Sequence, residues 1–172
     1  FEIQHDAQHE GGGVWPLDPS QFSTTAGVRP APHADTVTFA TDMAIEITTR
    51  ALTKADYDYI VKIIDKWWGG PTSALAHPVY FYELGEHAMV AEHDGRVVGC
   101  LLGFVAASGV GYVHLVGIDP DYRRQQVGST LYRTFESRCR AAGCKSLKAI
   151  TTLGNDGSVR FHGALGWTVE EV

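Results

Sequence analysis

The stretch VGIDPDYRRQQVGSTLYRTFE, residues 116–136, passes from apolar residues through Asp-Pro into a polar turn with two arginines, then into an amphipathic segment. A strand that feeds a helix through a tight turn leaves the first helical N–H groups unpaired. The helix dipole adds partial positive charge at the same place, which therefore favours an anion. Arg123 and Arg124 bring guanidinium groups suited to phosphate oxygens. Gly128 has no side chain, so a ligand or neighbouring backbone can approach closely. On these residues alone the turn is either a pyrophosphate cradle or a surface turn with solvated arginines.

A second reactive group precedes it. His114 interrupts an apolar run, and period-two alternation puts it on one face with Tyr112, Val116 and Ile118. Imidazole titrates near neutral pH and can take a proton from a nucleophile. The alternative is a core histidine bonded to a backbone carbonyl or a buried water. Glu83 and Glu92 are weaker candidates for the same role.

The elements that must position these groups follow from local pattern. Residues 1–42 are crowded with Gly, Pro, Ser and Thr, which mark turns and loops. The alternation of MAIEITTRAL starts a domain over residues 43–172 with a strand. Thr53 is an N-cap with Asp56 three residues later, and Gly69-Gly70 stops a helix whose stripe holds Tyr57, Ile60, Ile64 and Trp67 or Trp68. HAMVAEHDGRVVGCLLGFVAA is a hairpin turning at Asp94-Gly95. Tyr112 to Ile118 is a strand, Val127 to Ala142 a helix buried through Val127, Leu131, Phe135 and Cys139. SLKAIT is another strand, and Ser158 to Leu165 a last short helix. The order implies an α+β fold with a mixed sheet.

The totals bound the function. The 172 residues suffice for one sizeable core, and 44% hydrophobic with 20% charged residues is ordinary globular composition. A net charge of −6 argues against nucleic-acid or anionic-membrane partners. Three cysteines without a CxxC pair suit free thiols in a reducing compartment. No apolar run is long enough to span a membrane, no signal peptide is visible, and no metal-ligand spacing occurs. A cytoplasmic protein is expected.

VGIDPDYRRQQVGSTLY resembles the acetyl-CoA-binding signature of the GNAT superfamily of N-acetyltransferases: an Arg or Gln, two residues, Gly, any residue, then Gly or Ala. Arg123 stands first, Gln126 at the first Gly and Gly128 at the second. Downstream, NDGSVRFHGALGW resembles the family's second pattern through Asn155, Ser158, Phe161, His162, Gly166 and Trp167. The resemblance covers about residues 43–172. It implies a mixed, mostly antiparallel central sheet with a splayed strand pair and flanking helices. It also implies acetyl-CoA as donor, with Val116, Gly117 and Ile118 lining the pantetheine arm. Arg123, Arg124, Gln125, Gln126, Val127, Gly128 and Ser129 would hold the phosphates, and Asn155 would touch the arm or an ordered water. Backbone N–H groups near Val116 would stabilise an oxyanion.

Two positions depart from the family. Gln126 replaces a Gly, so its side chain either crowds the pyrophosphate or donates to it. His162 replaces a Tyr that serves many relatives as general acid; it is either that acid or a solvated helix residue. With this resemblance His114 becomes the candidate base. Trp67, Trp68, Tyr80 and Tyr112 become the candidate acceptor wall, where aromatic faces suit a partly apolar or cationic amine. The expected activity is direct acetyl transfer to a small-molecule or peptide amine in a ternary complex. The alternative is a catalytically silent coenzyme-binding sensor or interaction module. Family members also carry a final strand after the Gly166-Trp167 position. Residues 1–42 are either a disordered leader or the source of that strand, through FEI or DTVTFATDM, within one chain or swapped in a homodimer.

Overall fold

The computed structural model describes residues 2–6, 45–151 and 154–170. The strands are β1 (Glu2–Asp6), β2 (Thr48–Ala51), β3 (Met89–His93), β4 (Arg96–Val105), β5 (Val110–Ile118), β6 (Ser146–Ile150) and β7 (Thr168–Glu170). The helices are α1 (Lys54–Trp68), α2 (Val79–Tyr82), α3 (Val127–Ala141) and α4 (Asp156–Ala164). One sheet of seven strands runs in the order β2-β3-β4-β5-β6-β1-β7. Its pairs are antiparallel except β5 with β6, giving the mixed, mostly antiparallel sheet that the sequence implies.

α1 forms where the sequence supplies both ends. Thr53 accepts from the Asp56 N–H, and the Asp56 carboxylate accepts from the Thr53 N–H, which is a reciprocal cap. Tyr57, Ile60, Ile64 and Trp67 are buried along one stripe, and Gly69 ends the helix in the left-handed region at φ 79°. Arg50 on β2 braces the start, donating to Asp56 at 2.6 and 3.0 Å and to Glu92 of β3 at 2.7 Å. The Arg50 hydrogen bonds hold the Asp56 carboxyl well below the usual carboxylate range.

α1 covers one face of the sheet and α3 the other. Ile60, Ile64 and Trp67 pack with Val90, Cys100, Leu102 and Leu115. Val127, Leu131, Phe135 and Cys139 pack with Met89, Leu101, Val113 and Leu147. α3 lies close because Gly103 and Gly111 lack side chains. A Cβ at Gly103 would stand 2.7 Å from the Phe135 ring, and one at Gly111 2.5 Å from Cys139 Sγ. Truncating a fully buried residue such as Leu131 to Ala would cost about 2–5 kcal/mol.

β5 departs from simple alternation. Leu102 of β4 pairs with Leu115, but the next residue, Gly103, pairs with Val113, so His114 is an extra residue in the ladder. This bulge reverses the faces on either side of it. His114 therefore does not share a face with Val116 and Ile118, as alternation predicted: those two pack toward α3, while Leu115 packs toward α1.

Three further features complete the architecture. Residues 73–87 fold into a 3₁₀ turn (Ser73–Leu75), the short α2 and a second 3₁₀ turn (Gly85–His87). The strand expected from residue 43 begins at Thr48. β1 inserts between β6 and β7, with Ile3 opposite both Ala149 and Val169. DTVTFATDM lies outside the described residues. Among the described residues no helix is long and apolar enough to cross a membrane.

Candidate active site

The bulge sits where the sheet opens. β5 pairs with β6 only from Val110 to Val113, yet it stays paired with β4 as far as Ile118. Beyond Val113 the β5 edge therefore faces a gap. The Asp119 N–H donates to the Val98 carbonyl at 3.0 Å, so backbone groups at Asp119 point toward β4. Alternation then turns those of Gly117 toward β4 and those of Val116 and Ile118 into the gap. Gly117 lines the α1 side instead: a Cβ there would collide with Ile64 and press on Trp67.

His114 stands at the upper end of this edge. Its Nε2 lies 2.7 Å from the Leu75 carbonyl, which can only accept, so Nε2 carries the proton and Nδ1 is left as the acceptor. The ring stacks on Tyr80 at 3.6 Å between centroids and 12° between planes, with Tyr112 on the same side at 6.4 Å. Burial pushes its pKa below the ordinary histidine value, and the Leu75 bond offsets part of that. The ring is thus neutral and oriented at pH 7. It is a carbonyl-bonded histidine whose Nδ1 keeps its acceptor lone pair.

The turn closes the lower end of the gap. Asp119 is fixed by Arg96 at 3.0 Å and accepts from the Asp121 N–H at 3.1 Å. Arg124 and Gln126 both take φ 63°, while Arg123 between Pro120 and the turn stays at φ −66°. Alternating hand along a short segment gathers successive N–H groups into an anion-binding concavity. The left-handed φ also explains why glycine is the family's residue at position 126. Ser129 Oγ donates to the Gln126 carbonyl at 2.9 Å, and Gln125 donates to the Asp121 carbonyl at 3.0 Å. Arg123 turns to α1, donating to the Trp67 carbonyl. Val127 contributes its buried side chain to the core and only its backbone to the turn. Gly128 lies close beneath α4: a Cβ there would stand 3.2 Å from the Phe161 ring.

Other expected site residues lie elsewhere. Trp67 is 4% exposed, a core residue under the sheet rather than part of an acceptor wall. Trp68 is 41% exposed and its indole N–H donates to the Val116 carbonyl at 3.0 Å. Tyr80 and Tyr112 do flank His114. Asn155 caps α4, accepting from the Ser158 N–H at 3.1 Å. His162 is neither solvated nor on the gap. It is 5% exposed, Nδ1 donates to the Ser158 carbonyl at 2.8 Å, and Nε2 accepts from Tyr132 at 2.7 Å. Desolvation lowers its pKa, so it is a neutral core group with both nitrogens engaged and no proton facing the gap. The Leu75 carbonyl and the bulge had no sequence signal beyond one polar residue in an apolar strand. Among the described residues no cluster of His, Cys, Asp or Glu is arranged to hold a metal ion.

A gap between diverging strands, with a tight turn at its foot and a histidine at its head, sits inside a fold that known proteins share. Residues 49–167 match the Acetyltransferase (GNAT) family. An amino-acid acetyltransferase of Azotobacter vinelandii is 35% identical over 71 residues, 41% of this chain and 16% of that protein. The uncharacterized protein YdhI of Bacillus subtilis is 21% identical over 102 residues, 59% of this chain and 62% of its own. The match thus spans less than two thirds of either curated relative. The crystal structure of Ard1 from Thermoplasma volcanium superposes with a TM-score of 0.64 at 27% identity, covering 73% of this chain and 84% of that one. The family match takes in the bulged strand, the turn and α4 together, and the chain belongs to the GNAT acetyltransferase family.

Proposed function

We propose that the chain is an acetyl-CoA-dependent N-acetyltransferase that moves the acetyl group directly to a primary amine. The observation that carries this reading is the placement of a neutral, oriented His114 at the bulge beside the open β5 edge. The residues present fit the donor. The turn at 123–129 offers backbone N–H groups and Arg124 to the phosphates, and Val116 and Ile118 offer backbone groups to the pantetheine amides. When bound, acetyl-CoA would supply an activated acyl carbon: a C–N bond would form, the C–S bond would break, and the departing thiolate would leave with the second proton shed by the attacking nitrogen.

The chain's own residues handle the protons. An alkylammonium has a pKa near 10, so the acceptor must lose a proton before it can attack. His114 Nδ1 is the free acceptor and takes that proton, directly or through a water. Tyr80 and the Leu75 carbonyl hold the ring so that this nitrogen keeps its direction. The aromatic surroundings of Tyr80, Tyr112 and Phe104 favour an acceptor with a cationic or partly apolar body. The amino-acid acetyltransferase relative supports a small amine, and a peptide N-terminus is the wider class.

Calorimetric titration with acetyl-CoA, followed by an amine panel read by release of free thiol, tests the proposal. Micromolar binding with turnover of at least one amine is expected. Binding without turnover across amino acids, polyamines and peptides would replace it with a silent coenzyme-binding module.

A further inference from the structure

Trp68 occupies a position that the proposed donor needs. The gap-facing backbone groups of β5 are those of Val116 and Ile118, and Val116 is not vacant: the Trp68 indole N–H donates to its carbonyl at 3.0 Å. Trp68 is the last residue of α1, and its neighbour Trp67 is the anchored one, 4% exposed with its carbonyl bonded to Arg123. Trp68 is 41% exposed and is followed by Gly69 and Gly70, around which a Cβ would meet nothing within 4 Å. The end of α1 thus carries one buried indole and one exposed indole seated on the Val116 carbonyl.

We propose that Trp68 is a displaceable plug on the β5 edge, holding the Val116 carbonyl until an extended amide arm takes its place. The proposal rests on the acetyl-CoA reading and adds a residue that controls entry to the same site. An indole seated on that carbonyl and an amide arm laid along the same edge compete for one oxygen and for the same space. A single exposed hydrogen bond is strong enough to favour the closed arrangement and weak enough for the arm to replace. The ligand class that displaces Trp68 is therefore one carrying amides in an extended chain, whereas a bare nucleotide bound at the turn leaves it seated.

The test uses the full chain, its Trp68→Phe variant, and two probes, acetyl-CoA and adenosine 3′,5′-bisphosphate, followed by calorimetry and tryptophan emission. The variant keeps an aromatic ring and loses the N–H donor. It is expected to bind acetyl-CoA about 2- to 12-fold tighter than the parent, the range set by one hydrogen bond, and the bisphosphate equally. In the parent, acetyl-CoA is expected to shift emission to longer wavelength as the indole enters water, and the bisphosphate is not; the variant lacks the shift. The affinity comparison decides: a variant that binds acetyl-CoA no tighter than the parent overturns the plug while leaving the cofactor assignment standing. Failure of both proteins to bind acetyl-CoA overturns the cofactor assignment, and the plug falls with it.

Discussion

β5 and β6 diverge to form the gap, and the structures behind them are assembled in different ways. On the β5 side, β3, β4 and β5 follow one another in sequence and in space, joined by short turns and backed by α1. On the β6 side, β1 lies between β6 and β7 although its residues come from the opposite end of the described chain. In the described sheet β7 pairs with β1, so its place depends on a strand that no local turn brings there. A wall built from local connections should lose single functions when single residues change. One that depends on a distant strand should lose its order as a unit.

The largest expected effect is on the local wall. His114→Ala should lower kcat/KM by about 10²–10⁴-fold, the usual contribution of a general base. Acetyl-CoA affinity should be retained. The sign in pH follows from the lowered pKa: the neutral base form grows as pH rises, so the parent loses activity on the acid side with a midpoint below 6.5. The variant should lose that limb. A variant with an unchanged pH–rate profile removes His114 from the chemistry.

The distant wall is broken by Ile3→Pro. Ile3 lies opposite Ala149 on one side and Val169 on the other, so its N–H points into a ladder whichever way it faces. Proline removes that donor and leaves a ladder acceptor without its partner, at a cost of about 3 kcal/mol. Urea unfolding should shift accordingly, and amide exchange at residues 168–170 should lose protection. If neither changes, β1 is not the strand that completes the sheet.

The contrast also explains what could be read from the sequence. The capping box at Thr53 and Asp56, the Asp94-Gly95 turn, the α3 stripe and the turn at 119–128 are all specified by residues within about a dozen positions, and each is visible as a pattern. The His114 bulge is not. It changes the face of a strand through pairing with β4, and alternation alone put Val116 and Ile118 on the wrong side of it. His162 occupies the position of a family acid, yet its neighbours Tyr132 and Ser158 turn it into the core. The motif preserves a position but not the direction of a side chain. Trp67 and Trp68 are adjacent aromatics with the same composition signal, and only packing separates the anchored ring from the exposed one.

A smaller effect tests the outer brace of the local wall. Asp56→Asn should cost about 1.5–3 kcal/mol at neutral pH, the strength of hydrogen bonds to a charged partner. The carboxyl has a folded-state pKa below its unfolded value of 3.8, chiefly through the Arg50 hydrogen bonds. Its contribution is therefore complete above that value and lost as pH falls through and below it. The stability gap between parent and variant should close under acid conditions. A gap that persists unchanged at pH 2–3, an interval of about one unit at the low end of the carboxylate range, would assign the loss to packing.

The smallest expected effect lies on the floor joining the two walls. Gln126 holds φ 63° without a capping bond from its side chain. The left-handed conformation costs an L-residue about 1–2 kcal/mol, and glycine gives back about 0.5–1 kcal/mol of that in unfolded-state entropy. Gln126→Gly should therefore stabilise the chain by about 0.5–1 kcal/mol in urea unfolding, whereas Gln126→Ala keeps the strain and should gain nothing. The two variants also divide the side chain's effect on the ligand from the backbone's. If the amide donates to a phosphate, both weaken acetyl-CoA binding alike. If it crowds the site, both tighten binding, and Gly differs from Ala only through the relaxed turn. Since Gly128 on the next turn packs against Phe161 of α4, a relaxed floor that loosened α4 would appear as faster exchange in residues 156–164. That outcome would couple the two walls through the turn rather than through the sheet.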